Sequence, residues 1–154
     1  MQRHVHDVLR QKSGEVFSVP PSVTVLEAVE VMTKHHIGAV LVMEAGRLAG
    51  VFSERDVLAR IVAVGRDPKT TRVSDVMTTK LYTLTANHSV LEALELMTEH
   101  RCRHIPVMDG DTLVGLISIG DATKHITEAL ETEVHNLSSY ISSPYLRESV
   151  PPEG

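Results

Sequence analysis

Thr24-Val25-Leu26-Glu27-Ala28-Val29-Glu30-Val31-Met32-Thr33-Lys34-His35 returns 65 residues later as Ser89-Val90-Leu91-Glu92-Ala93-Leu94-Glu95-Leu96-Met97-Thr98-Glu99-His100. Working outward from this pair, Val25–Ile61 aligns on Val90–Ile126 without a gap, with 15 identities in 37 positions. That is a duplication, and a repeat of this size dictates the architecture. Val25, Ala28, Val29 and Met32 recur at i, i+3, i+4 and i+7, as do Val90, Ala93, Leu94 and Met97. Each copy is therefore a helix with one face in a core. Thr24 with Glu27, and Ser89 with Glu92, are capping boxes that open these helices.

Downstream, Ala39–Met43 with Leu48–Phe52, and Ile105–Met108 with Leu113–Ile117, read as buried strand pairs. Glu44-Ala45-Gly46-Arg47 and Asp109-Gly110-Asp111-Thr112 are the turns between them. Each pair runs into a matched corner, Gly50-Val51-Phe52-Ser53-Glu54-Arg55-Asp56 and Gly115-Leu116-Ile117-Ser118-Ile119-Gly120-Asp121. A second helix follows each corner, the first to about Val64, before Gly65 and Pro68, the second from about Asp121 to Tyr140. Upstream, brief strands are expected at Val16–Val19 and Leu81–Leu84, each preceded by a short turn at Asp7–Leu9 and Asp75–Met77. Ser13-Gly14-Glu15 is an extra loop in the first half, and the tail from Arg147 reads as frayed.

The corners carry the chemistry. Glycine permits close approach to the backbone, and Ser sits at an N-cap with Asp three positions on. A hydroxyl, a carboxylate and unpaired helix N–H groups then share one place. Such a place suits a sugar phosphate, with the carboxylate for ribose hydroxyls and the donors for the anion. Ser-x-x-Asp is also a common helix cap, and both readings stand at this point. Neither half buries both faces of its small sheet alone, so the halves pack on each other, and a pseudo-twofold axis brings the two corners into one shared cleft.

Composition narrows the classes. With 42% hydrophobic, 23% charged and 3% aromatic residues and a net charge of -5, the 154-residue chain is an ordinary globule. Sparse aromatics and net acidity argue against a nucleic-acid binder. No apolar run reaches membrane-span length and Met-Gln-Arg-His is no signal core, so no membrane partner is expected. The single Cys102 excludes an internal disulfide and fits a reducing cytoplasm.

Several of these features occur together in one known family. The sequence resembles a tandem pair of CBS domains, the cystathionine-beta-synthase repeat, also called a Bateman module. The carriers are the doubled strand-helix-strand-strand-helix order, Asp75-Val76-Met77-Thr78, Arg103-His104-Ile105-Pro106-Val107 and both Gly-x-x-Ser-x-x-Asp corners. The resemblance covers about residues 5–127 and implies an α+β fold of two pseudo-twofold-related β-α-β-β-α repeats packed through their sheets. Residues 5-66 would be the first repeat, 73-127 the second, and 128-154 a C-terminal helix extension and tail. It also implies a regulatory module without chemistry of its own, needing no cofactor, that binds AMP, ADP, ATP, NAD or S-adenosylmethionine. The module would be a homodimer and signal to an unidentified regulated protein.

Carried over position by position, the resemblance places Asp56 and Asp121 on ribose hydroxyls, and Ser53 and Ser118 on phosphate or ribose. Arg103 and His104, just ahead of Pro106, would bind phosphate in the Asp56 site. The matching positions for the Asp121 site are Gly38 and Ala39, which are uncharged. Arg55 would serve either site, whereas its counterpart Gly120 cannot. Phe17-Ser18-Val19 and Tyr82-Thr83-Leu84 would bring apolar walls and backbone amides to adenine.

Two rivals belong to other classes. In a ligand-free scaffold the Ser-x-x-Asp corners are caps only. In an enzyme, a metal on the histidines or a reactive Cys102 beside Arg101 and Arg103 would be required. Repeat-matched His35 and His100 read more simply as C-terminal caps, His4 and His6 as surface, and Cys102 as the counterpart of the apolar Ile37. The stripe Ile126, Ala129, Leu130, Val134 and Leu137 is expected to serve as both core and dimer face.

Overall fold

The computed structural model describes residues 3–12 and 16–142. In chain order its elements are α1 (Val5–Gln11), β1 (Ser18–Val19), α2 (Val25–His35), β2 (Ala39–Glu44), β3 (Arg47–Ser53) and α3 (Glu54–Asp56). A π-helical segment (Val57–Val62) continues α3, and α4 (Val73–Val76), α5 (Val90–His100), β4 (His104–Asp109), β5 (Thr112–Ser118) and α6 (Ile119–Ile141) follow. The expected Ser13-Gly14-Glu15 loop and the tail beyond Ser142 lie outside the described residues.

Both predicted capping boxes are formed. The Thr24 hydroxyl accepts from the Glu27 N–H at 3.2 Å while Glu27 accepts from the Thr24 N–H at 2.9 Å. Ser89 and Glu92 repeat the exchange at 3.0 and 2.8 Å. With their first turns satisfied, α2 buries Val25, Ala28 and Met32, and α5 buries Val90, Ala93 and Met97. Each helix stops at a left-handed residue, His36 (φ 53°) and Arg101 (φ 52°), so the chain turns back at once into β2 or β4.

The lobes exchange their leading helices. Val5 and Val8 of α1 sit in the second-half core with Leu84, Val90, Ala93, Met97, Ile105, Val107, Ile117 and Ala122. Val73 and Val76 of α4 sit in the first-half core with Val25, Met32, Val40, Val42, Phe52 and Ile61. Backbone bonds fix both crossings: Val5 N–H to His88 O at 2.8 Å, and Val73 N–H to Val23 O at 2.9 Å. A third cluster closes the seam. Ala39, Leu41 and Val51 pack with Met43, Leu48, Leu81, Leu113 and Leu116, so the sheets meet face to face. Strand β2 is consequently buried on both sides, Val40 and Val42 toward the lobe core and Leu41 toward the seam, as its unbroken apolar run requires.

Three local departures from expectation have physical causes. Strand Leu81–Leu84 reduces to one parallel bridge between Leu84 and Val107, leaving β4–β5 a two-stranded sheet against three strands in the first half. In the first half the Leu41 N–H donates to Phe17 O at 3.2 Å. The matching residue is Pro106, which has no N–H to offer Tyr82. The helix after Ser53 is α-helical only to Asp56 and then widens, with Ala63 N–H bonding Leu58 O five residues back. Third, His35 and His100 do not cap carbonyls; their rings stack on Phe17 and Tyr82 at 3.8 and 3.7 Å.

Candidate functional site

The two glycines that begin the corners are crossed by the exchanged leading segments. A Cβ on Gly50 would lie 2.8 Å from Met77 Sδ and from Thr78 O, and one on Gly115 would lie 2.9 Å from Leu9. Thr78 pairs with Val51 in both directions, at 3.0 and 2.9 Å, and so reaches the corner. Each corner thus combines a strand end and a helix start from one half with a leading segment that also packs on that half.

At the first corner Asp56 Oδ2 accepts from the Ser53 N–H at 3.0 Å and from the Ser53 hydroxyl at 3.2 Å. Thr78 Oγ1 donates to Asp56 Oδ1 at 3.0 Å, and Arg60 Nε stands 3.7 Å away. At the second corner Asp121 Oδ2 accepts from the Ser118 N–H at 3.0 Å, and Ser118 Oγ accepts from the Asp121 N–H at 3.1 Å. Lys12 Nζ donates to the same Asp121 Oδ2 at 2.7 Å and to Leu116 O at 2.9 Å. Both Ser-x-x-Asp sequences are therefore real caps, and both also face open space.

That space is a pair of cavities at the seam. Cavity one, about 430 Å³, is lined by Ser53, Asp56 and Arg55 from the first corner and by Arg103, His104 and Pro106 from the second half. Cavity two, about 390 Å³, is lined by Ser118, Asp121 and Lys12 with Gly38, Ala39 and His104. Volumes of this size are ordinary for small-molecule sites. Gly38 and His104 line both, and the space in front of Gly38 is filled by the His104 ring, 3.4 Å from where a Cβ would stand.

The structure thus groups Asp56, Ser53, Arg55, Arg103, His104 and Pro106 in one cavity, and Asp121, Ser118, Gly38 and Ala39 in the other. Arg55 belongs to cavity one alone, with Nη1 donating to Arg101 O at 2.6 Å, not to either site as expected. Ser18, Val19, Thr83 and Leu84 line neither. Val19 and Leu84 turn into the lobe cores, and of the same two stretches Phe17 and Tyr82 stand in the cavity walls, beside Val16 and Leu81. Lys12, Thr78, Lys80 and Arg101 are wall residues that motif reading passed over. Aligning Lys12 on Lys80 across the three-residue Ser13-Gly14-Glu15 insertion was the available signal.

Burial shifts the site's titrations. His104 is held below the ordinary histidine value, first by burial and then by the Lys12 charge. At Asp121 burial opposes ionisation, yet Lys12 and Ser118 outweigh it and hold the carboxyl below its usual range. Burial pushes the Cys102 thiol up, which leaves it protonated and a poor nucleophile near neutral pH. Among the described residues, one group of three potential metal ligands converges, His4, His6 and Asp7, and it lies outside both cavities.

The CBS domain profile matches residues 5–63 and 73–128. The chain belongs to the CBS-domain family. It is 42% identical over 127 residues to the mitochondrial CBS domain-containing protein CBSX3 of Arabidopsis thaliana, a match covering 79% of this chain and 62% of that relative. A CBS-domain containing protein from Agrobacterium tumefaciens superposes with a TM-score of 0.74 at 37% identity, over 79% of this chain and 97% of that one. The CBS domain pair of protein MJ0100, solved with 5-methylthioadenosine and S-adenosyl-L-methionine, superposes at 0.72 over 84% and 99% of the two chains. At 20% identity that last likeness concerns the fold alone. The chain is thus a CBS pair of α+β class, and among the described residues no helix is long and apolar enough to cross a membrane.

Proposed function

We propose that this CBS pair is a regulatory module that binds adenosine-containing ligands in its two seam cavities and performs no chemistry of its own. The carrying observation is that repeat-related Ser-x-x-Asp corners each border a cavity, with Asp56 and Asp121 in the walls. In this reading the carboxylates accept from ribose hydroxyls. The Ser53 and Ser118 hydroxyls meet phosphate or ribose, and Arg103 and His104 add phosphate contacts at cavity one. Phe17 and Tyr82, each stacked on a histidine, wall the base. The CBS pair of MJ0100, which shares this fold, was solved in complex with 5-methylthioadenosine and S-adenosyl-L-methionine. Burial that keeps Cys102 protonated weighs against the reactive-thiol form of the enzyme alternative.

Isothermal calorimetry with AMP, ADP, ATP, NAD and S-adenosylmethionine tests the reading. Micromolar binding to the wild type that is lost in Asp56→Asn with Asp121→Asn supports it. Absence of heat and of any melting shift across the panel refutes it in favour of a scaffold. Homodimerisation belongs to the same proposal. Leu58, Val62 and Val64 in and after the π-helical segment, and Leu130, Val134 and Leu137 on α6, are all more than half exposed and offer an apolar face to a second copy. Ile126 packs inward, so that stripe divides between core and surface. A reducing, cytoplasmic setting, with a regulated protein as partner, completes the reading.

A further inference from the structure

The duplication makes each cavity a control for the other, because matched wall positions differ mainly in charge. Cavity one is lined by four cations, Arg55, Lys80, Arg101 and Arg103, against two carboxylates, Glu54 and Asp56. Cavity two is lined by one of each, Lys12 and Asp121. Across the repeat Arg55 becomes Gly120, Arg101 becomes His36, Arg103 becomes Gly38, and Lys80 is matched by Lys12. Three of the four cations are thus gone from cavity two, and the fourth is already engaged. Lys12 Nζ spends its hydrogen bonds on Asp121 Oδ2 and Leu116 O. Among the described residues, by contrast, no ion pair engages Lys80, Arg101 or Arg103.

We infer that the two cavities sort ligands by charge: cavity one takes an adenine nucleotide with a polyphosphate chain, and cavity two takes an uncharged or cationic adenosine derivative. The inference rests on the nucleotide-binding reading and goes beyond it by assigning a ligand class to each cavity. A polyphosphate brings several negative charges that must leave water on entry. In cavity one the uncommitted guanidinium and ammonium groups replace that hydration with charge-assisted hydrogen bonds. In cavity two the phosphates would have to pull Lys12 away from Asp121 and leave a half-buried carboxylate exposed to a like charge. A nucleoside avoids both costs, since a hydroxyl can donate to the carboxylate while Lys12 stays in place. The two cavities meet at His104 and Gly38 but are otherwise walled separately, so both can be filled at once.

The test is sequential calorimetry on the full chain with ATP and then adenosine. One equivalent of ATP should bind first, and adenosine should then add one further equivalent without displacing it. Lys80→Ala with Arg103→Ala should weaken ATP by tenfold or more and leave the adenosine equivalent unmoved. Raising ionic strength should weaken ATP and not adenosine. Two equivalents of ATP of equal affinity, or adenosine competing fully with ATP, would overturn the sorting while leaving nucleotide binding intact. Failure of both ligands to bind would overturn the underlying reading, and the sorting with it. Circular dichroism of the double variant separates lost binding from lost folding.

Discussion

Replacing Lys12 with methionine keeps the aliphatic stem but removes the one cation that, among the described residues, bonds Asp121. The lost contact is a charge-assisted hydrogen bond of 2.7 Å, a kind worth about 1.5–3 kcal/mol when shielded from water. Here the side chains are 37% and 26% exposed, so solvent screening reduces the expected loss to about 1 kcal/mol. For a chain of this size that is a fall in Tm of about 2–4 °C. The pH dependence follows from the sign of the Asp121 shift. Its folded-state value is lowered, so the stabilisation is present above the unfolded-state value and is lost as pH falls through the folded one. In Lys12→Met the burial that opposes ionisation acts with less to offset it, so the Asp121 carboxyl titrates higher. His104 should move the same way, toward its ordinary value, because the Lys12 charge helps hold it down. Urea denaturation at neutral pH and at about pH 3, with carboxyl and imidazole NMR titrations, reads all of this. The deficit should be largest at neutral pH and smaller in acid, where part of the Asp121 pairing is lost while the Leu116 carbonyl contact persists. Equal deficits at both pH values, or an unmoved Asp121 titration, would refute the reasoning.

Other substitutions probe the remaining parts of the site. Arg103→Ala should cost about tenfold or more in AMP affinity and leave adenosine affinity nearly unchanged, as calorimetry would show. Gly50→Ala should destabilise by about 1–3 kcal/mol in urea, because its Cβ meets the Thr78 carbonyl at 2.8 Å. Gly115→Ala should cost less, since its Cβ meets only the movable tip of Leu9. Ser53→Ala and Ser118→Ala should each lose about 1 kcal/mol as missing caps. If the corners also bind ligand, the same variants lower nucleotide affinity; stability loss with unchanged affinity would favour the scaffold.

Much of the fold was legible because it depends on local chemistry repeated in register. The capping boxes, the 3.6-residue apolar spacing and the hairpin turns are set by neighbours in sequence, and the repeat showed each of them twice. Pro106 shows the limit. Its lack of an N–H is visible in the sequence, but the rung it removes is known only when Tyr82 is seen opposite. The wall residues fared similarly. The stretches Phe17–Val19 and Tyr82–Leu84 were read whole as walls, but which residue of each faces the cleft changes with a shift of one position, and Val19 and Leu84 took the core.

The sequence alone determined that the chain is a duplicated α+β unit with two capped acidic corners, because those features are written in spacings of three, four and 65 residues. Tertiary structure alone decided that each leading helix crosses to the opposite half, since burial of Val5 or Val73 depends on which core lies nearby and not on its own neighbours. The same crossing delivers Lys12 to Asp121 and Thr78 to Asp56, contacts spanning 109 and 22 residues. Charge placed by such long-range closure, rather than by local pattern, is what makes two corners of one ancestry different in chemistry.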